Sequence, residues 1–197
     1  IDPYNNRTTD HYISYYKKDF TKNESDRMIC RVGDDMATSM PYVSEAAEFV
    51  GDCGIRHEYR LALACTGEYT FYHGNTVAGA QAAMVTTMNR VNGVFEKDCA
   101  VRMIIIGNNN LIIYTDGATD PYANGSPGAM IGQNQTNCDA VIGNANYDIG
   151  HLFGTNSGGL ASLFSVCDNA DKARGVTGSG APIGDPFDID YVAHEMG

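Results

Sequence analysis

Positive charge is scarce in this 197-residue chain: 13 Lys and Arg stand against 24 Asp and Glu, for a formal net charge of -11. A phosphate backbone or an anionic bilayer would repel such a surface, which argues against nucleic-acid and membrane-surface partners. The acidity serves solubility in one reading and supplies calcium sites in the other, so Ca2+ stays open as a second cation. No C-x-x-C pair occurs, and Cys30, Cys53, Cys65, Cys99, Cys138 and Cys167 are widely spaced. That spacing excludes a cysteine zinc cluster or a thioredoxin-type site. An even, dispersed set in a loop-rich acidic chain instead predicts disulfides and an oxidising, extracellular compartment, without choosing the pairing. No segment is long and apolar enough to span a membrane, and no signal peptide opens the chain. Ile1-Asp2-Pro3-Tyr4 reads as the interior of a longer protein, and both ends are expected to be cuts.

What is present suffices for one sizeable core, with 43% hydrophobic residues. Residues 1–55 read as an extended leader with one alternating strand at His11–Tyr16, closed by a linker through Gly51–Gly54. The compact domain is expected over residues 56–197. Tyr59–Thr66 is a short apolar strand. Asn75 is expected to cap a helix from Thr76 to about Phe95, with Val77, Ala80, Met84, Met88, Val91 and Phe95 along its core side. Val101–Ile106 is a second buried strand, so strand, helix and strand form a βαβ unit with parallel strands. Leu111–Tyr114 extends that sheet, and the loop from Asp116 to Gly125 fits no EF-hand spacing. A helix at Ile131–Ile142 and strands at Tyr147–Gly154 and Gly158–Cys167 follow, then a loop from Asp168 to Gly184.

The last stretch organises the chain. Asp185 is expected as the N-cap of a terminal helix, Pro186 as its first residue and Asp188 as an acid in its first turn. Ile189, Val192 and Met196 would face the core. His194-Glu195 then sits where the zinc-peptidase signature H-E-x-x-H begins, in which two His one turn apart hold the metal and the Glu polarises water. The chain stops one residue before the second His. His11, His57, His73 and His151 lie off helical spacing from His194, which favours surface or structural roles for them.

Taken together, Arg60–Tyr69, Asn89–Phe95, Tyr147–His151, Lys172–Gly178 and Asp190–Gly197 resemble, in order, motifs of the reprolysin-like metalloendopeptidases. These form the adamalysin branch of the metzincins, and the likeness extends to their secreted bacterial members. It covers residues 56–197. The resemblance implies an α/β metzincin-like zincin fold: a mixed twisted sheet whose antiparallel edge strand lies over the cleft, and an active-site helix. Gly159, Leu160, Ala161, Ser162 and Leu163 match that edge strand, which pairs with peptide substrates by strand addition, its small residues leaving the backbone approachable. His194 matches the first Zn2+ ligand and Glu195 the general base. The rest of H-E-x-x-H-x-x-G-x-x-H lies past Gly197, so the resemblance implies a chain truncated inside the motif and inactive by itself. Asp148 falls near a family calcium-site aspartate, but its partner position on the first strand is Arg60.

The reading is therefore a secreted zinc endopeptidase acting on protein or peptide substrates. Its rival is a non-catalytic extracellular binding module that keeps the fold and the cleft strand. The leader would be a prosegment tail, in which Cys30 is either half of a disulfide or a thiolate that blocks the metal.

Overall fold

The protein is described by a computed structural model covering residues 2–3, 12–13, 55–155 and 158–197. Most of residues 1–55, the expected leader, with Cys30 and Cys53, lies outside the described residues. Within it β1 (Asp2–Pro3) pairs antiparallel with β2 (Tyr12–Ile13).

β3 (His57–Cys65) is an interior strand, second of five, in a sheet of order β4-β3-β5-β7-β6. Its two neighbours, β4 (Val101–Ile105) and β5 (Ile149–Gly154), are both parallel to it, as the βαβ pattern requires. Buried on both faces, β3 is almost continuously apolar at its end: Leu61 to Cys65 are fully buried. The period of two sorts those side chains. Leu61, Leu63 and Cys65 face α2 (Val77–Cys99) and the terminal helix, whereas Ala62 and Ala64 face α3 (Pro127–Val141). The small side chains on the second face let α3 approach closely.

Helix α2 is capped by Thr76, not Asn75, and runs four residues past the expected end at Phe95, to Cys99. The Thr76 hydroxyl accepts from the Gly79 amide at 3.0 Å, and Asn75 occupies a left-handed turn with φ 56°. Met84 and Met88 are core residues as expected, while Val77 is 36% exposed. Leu111 and Ile112 do not extend the sheet. They belong to a 3-10 turn, Asn109–Ile112, and only Ile113 bridges back to Cys65. The Asn109 side chain explains the turn: it bonds the backbone N–H and C=O of Leu63, each at 2.8 Å.

The expected strand Gly158–Cys167 is shorter. β6 is Gly158–Ala161, and Ser162 adds one more bond to the Arg174 carbonyl at 2.8 Å. Leu163 lies beyond the strand. The expected loop Asp168–Gly184 contains β7 (Gly175–Gly178), parallel to β5 and antiparallel to β6. β6 is thus the antiparallel edge of an otherwise parallel sheet.

The remaining cysteine expectation changes as well. Cys65, Cys99, Cys138 and Cys167 are free thiols, so no disulfide joins these four. Cys65 and Cys138 are buried in different clusters on opposite faces of the sheet. Burial pushes both thiols up to about 12.

Candidate active site

The terminal helix α4 is built in three stretches: Gly184–Phe187, a π-helical Asp188–Ala193, and His194–Met196. Its N-cap is Ile183, not Asp185, which lies inside the first turn and pairs with Arg90 of α2. Phe187, Tyr191 and Val192 enter the core shared with Met84, Met88 and Val91. Ile189 and Met196 are only partly buried. Asp188, expected as an acid in the first turn, opens the π-helical stretch, is 2% exposed and receives the Thr87 hydroxyl at 2.7 Å.

This packing turns Glu195 inward and leaves His194 exposed. Glu195 is 7% exposed, and its Oε1 is buried without a hydrogen-bond partner. Burial pushes the carboxyl up to about 7, since the charged form loses its hydration. The carboxylate rests on the backbone of β6. A Cβ added at Gly159 would lie 2.0 Å from Glu195 Oε1 and 2.2 Å from its carboxyl carbon. Glycine at 159 is therefore a space requirement of Glu195. This requirement stands beside the expected role of small residues there, which is to leave the strand backbone approachable.

Strand pairing settles which backbone groups of β6 point outward. Ser162 bonds Arg174, and the register pairs Leu160 with Val176. By antiparallel alternation the N–H and C=O of Gly159 and Ala161 then face away from β7. A peptide laid along this edge would meet those groups beside Glu195.

The cavity here has a volume of about 820 Å³, and its walls include Ala161, Ser162, Leu163, Arg174, His194 and Glu195. His151 also lines it. Fully buried on β5, it meets Thr177 Oγ1 at 2.8 Å through Nε2, and burial lowers its pKa to about 3. Gly175 makes room for it, as a Cβ there would be 2.5 Å from Nδ1. Sequence reasoning set His151 aside. The available signal was its alternation with Ile149 and Phe153, which puts all three on the face covered by α4.

Other expected residues are elsewhere. Arg60 holds both carboxylate oxygens of Asp148, at 2.6 and 3.0 Å, and keeps that carboxyl below its usual range. His57 begins β3, and His73 caps α1 (Gly67–Tyr72). Among the described residues no group of three or more His, Cys, Asp or Glu could hold a metal ion. An inward carboxylate with an orphaned oxygen, next to an exposed imidazole, fits the base and first ligand of a zinc-peptidase site. The pair does not complete a three-ligand set.

A search of the curated proteins finds no match. Residues 81–197, more than half of the chain, match the family model of the reprolysin-like metallopeptidases of family M12B. That span runs from the first turns of α2 through the edge strand to His194-Glu195, and the sheet and helices agree with the metzincin-like fold of that family. The chain belongs to the reprolysin-like M12B metallopeptidases.

Proposed function

We propose that this chain carries the cleft strand and the start of the active-site helix of a secreted zinc endopeptidase, with Glu195 as general base and His194 as first zinc ligand. The observation behind this is the Glu195 carboxylate, buried and unpartnered at Oε1, seated against Gly159 of the edge strand. Zinc bound there supplies Lewis acidity. The chain's own residues do the rest. Outward N–H and C=O groups of Gly159 and Ala161 pair with an extended peptide and fix its scissile bond over Glu195. Leu160, Ser162 and Leu163 shape the strand's flanks. Glu195 accepts a proton from the attacking water and passes it to the departing amine. The cavity wall limits access of bulk water to that carboxylate, which strengthens its interactions.

Of the family's three zinc ligands, His194 alone has a counterpart in these 197 residues. The 197-residue chain by itself is therefore expected to bind zinc weakly and to hydrolyse no peptide. Tight stoichiometric zinc in it, read by elemental analysis, would contradict this. Protein made from the full coding sequence tests the mechanism. Glu195→Gln should keep its zinc and lose about 10²–10⁴-fold in hydrolysis of a quenched fluorescent peptide. Turnover at the wild-type rate would remove Glu195 from its role. A wild-type protein that binds peptides along β6 without cleaving them would be a binding module instead.

A further inference from the structure

Glu195 reaches its place through α4, and α4 is gripped by a buried polar clamp. Asp188 is 2% exposed and is the first residue of the π-helical stretch that ends where His194 begins. Its Oδ1 accepts from Thr87 Oγ1 at 2.7 Å, and Arg90 Nε lies 3.3 Å from Oδ2. Arg90 also pairs with Asp185, so one guanidinium on α2 holds two carboxylates of α4. A buried carboxylate that loses its partners is strongly unfavourable. The contacts therefore resist any rotation of the helix that would carry Asp188 away from Thr87 and Arg90.

The register of this helix matters more than usual. A π-helical turn closes over five residues where an α turn closes over four, so the direction of every later side chain depends on where the π stretch starts. It starts at the clamped residue. At the far end there is little slack, because Glu195 fills the space that a Cβ of Gly159 would need.

We propose that the Asp188–Thr87–Arg90 clamp is a positioning device that sets the register of the π-helical stretch and so aims the Glu195 carboxylate at Gly159. Asp188 acts through Glu195. The catalytic meaning of the clamp rests on the reading of Glu195 as base, but its test does not.

The test is NMR of isotope-labelled protein made from the full coding sequence, following the through-space contact between the Gly159 α-protons and the Glu195 side chain. Thr87→Val removes the donor at nearly constant shape and should abolish the contact. Thr87→Ser restores a hydroxyl and should restore the contact. Asp188→Asn keeps an acceptor for Thr87 but loses the charge facing Arg90, and should weaken the contact. Met130→Val, on the opposite face of the sheet, should lower the melting temperature and leave the contact intact, which separates positioning from general stability. Should Asp188→Asn fail to fold, Arg90→Met carries the charge arm of the measurement. Contacts of wild-type intensity in Thr87→Val and in the charge-arm variant would overturn the proposal. A clamp that behaves as expected in a protein whose Glu195→Gln variant still hydrolyses peptides would leave the positioning intact and remove the catalytic reading.

Discussion

The two sides of the sheet are built on opposite principles. On one side β3 is a nine-residue strand whose second half is fully buried apolar side chain. On the other, β6 and β7 have four residues each, and Gly158, Gly159, Gly175 and Gly178 make up half of them. The first side gains its stability by filling space. The second withholds side chains, and two of the gaps it leaves are filled from other elements: Gly159 admits Glu195 and Gly175 admits His151. Glycine in a strand ordinarily weakens it through lost packing and entropy. Here that weakness is tolerated because β7 is held between β5 and β6.

The largest effect should come from the filled side. Leu63→Ala deletes a fully buried side chain from the cluster under α2 and should cost about 2–5 kcal/mol of unfolding free energy. Chemical denaturation reads this directly. A loss well under 1 kcal/mol, by the usual cost of core truncation, would show that this half of β3 does not carry the core.

Titration should expose the glycine side next. His151 has a folded pKa near 3 against an ordinary value of 6.5. Being depressed, it contributes stability that is whole above pH 6.5 and is lost as pH falls toward 3, at up to about 1.4 kcal/mol per pH unit. Glu195 acts in the other direction. Its carboxyl is raised from 4.5 to about 7, so its contribution is whole below pH 4.5 and is lost as pH rises through 7. Melting temperatures across pH 4–9 should therefore fall on both flanks. His151→Gln should flatten the acid flank and Glu195→Gln the alkaline one. Unchanged profiles in both variants would show that the two groups are not buried in solution.

A smaller effect is expected at the end of β6. Phe164 is 83% exposed and has φ 58°, a left-handed conformation that favours glycine. Phe164→Gly should change stability by no more than about 1 kcal/mol, with relief of strain offset by a looser unfolded chain. A larger loss by thermal denaturation would mean that the exposed ring packs on something that supports the fold.

The same contrast decides what could be read in the sequence. β3, β4, β5 and α2 announce themselves through apolar runs and helical periodicity, and the parallel βαβ order follows from them. β7 escapes because Gly175-Val176-Thr177-Gly178 offers one large apolar side chain and two turn-forming residues; its strand conformation is imposed by neighbours on both sides. The terminal helix was legible as a helix, but not its π-helical stretch, which arises from packing against α2. Asp188 was legible as an acid near the helix start, but not its burial, because its partners Thr87 and Arg90 lie about a hundred residues away. His194 and Glu195 were legible as a motif. That Gly159 exists to accommodate Glu195 was not, because their contact spans two separate elements.

That contact is the centre of the account, and Gly159→Ala tests it most directly. In protein made from the full coding sequence, the added methyl should displace the Glu195 carboxylate and lower kcat for a peptide substrate by about 10²-fold, the scale of a 1 Å misplacement. Zinc content should stay unchanged, and the fall in melting temperature should be far smaller than in Leu63→Ala. A Gly159→Ala enzyme with wild-type kcat would contradict the claim that this strand withholds a side chain to seat the catalytic base.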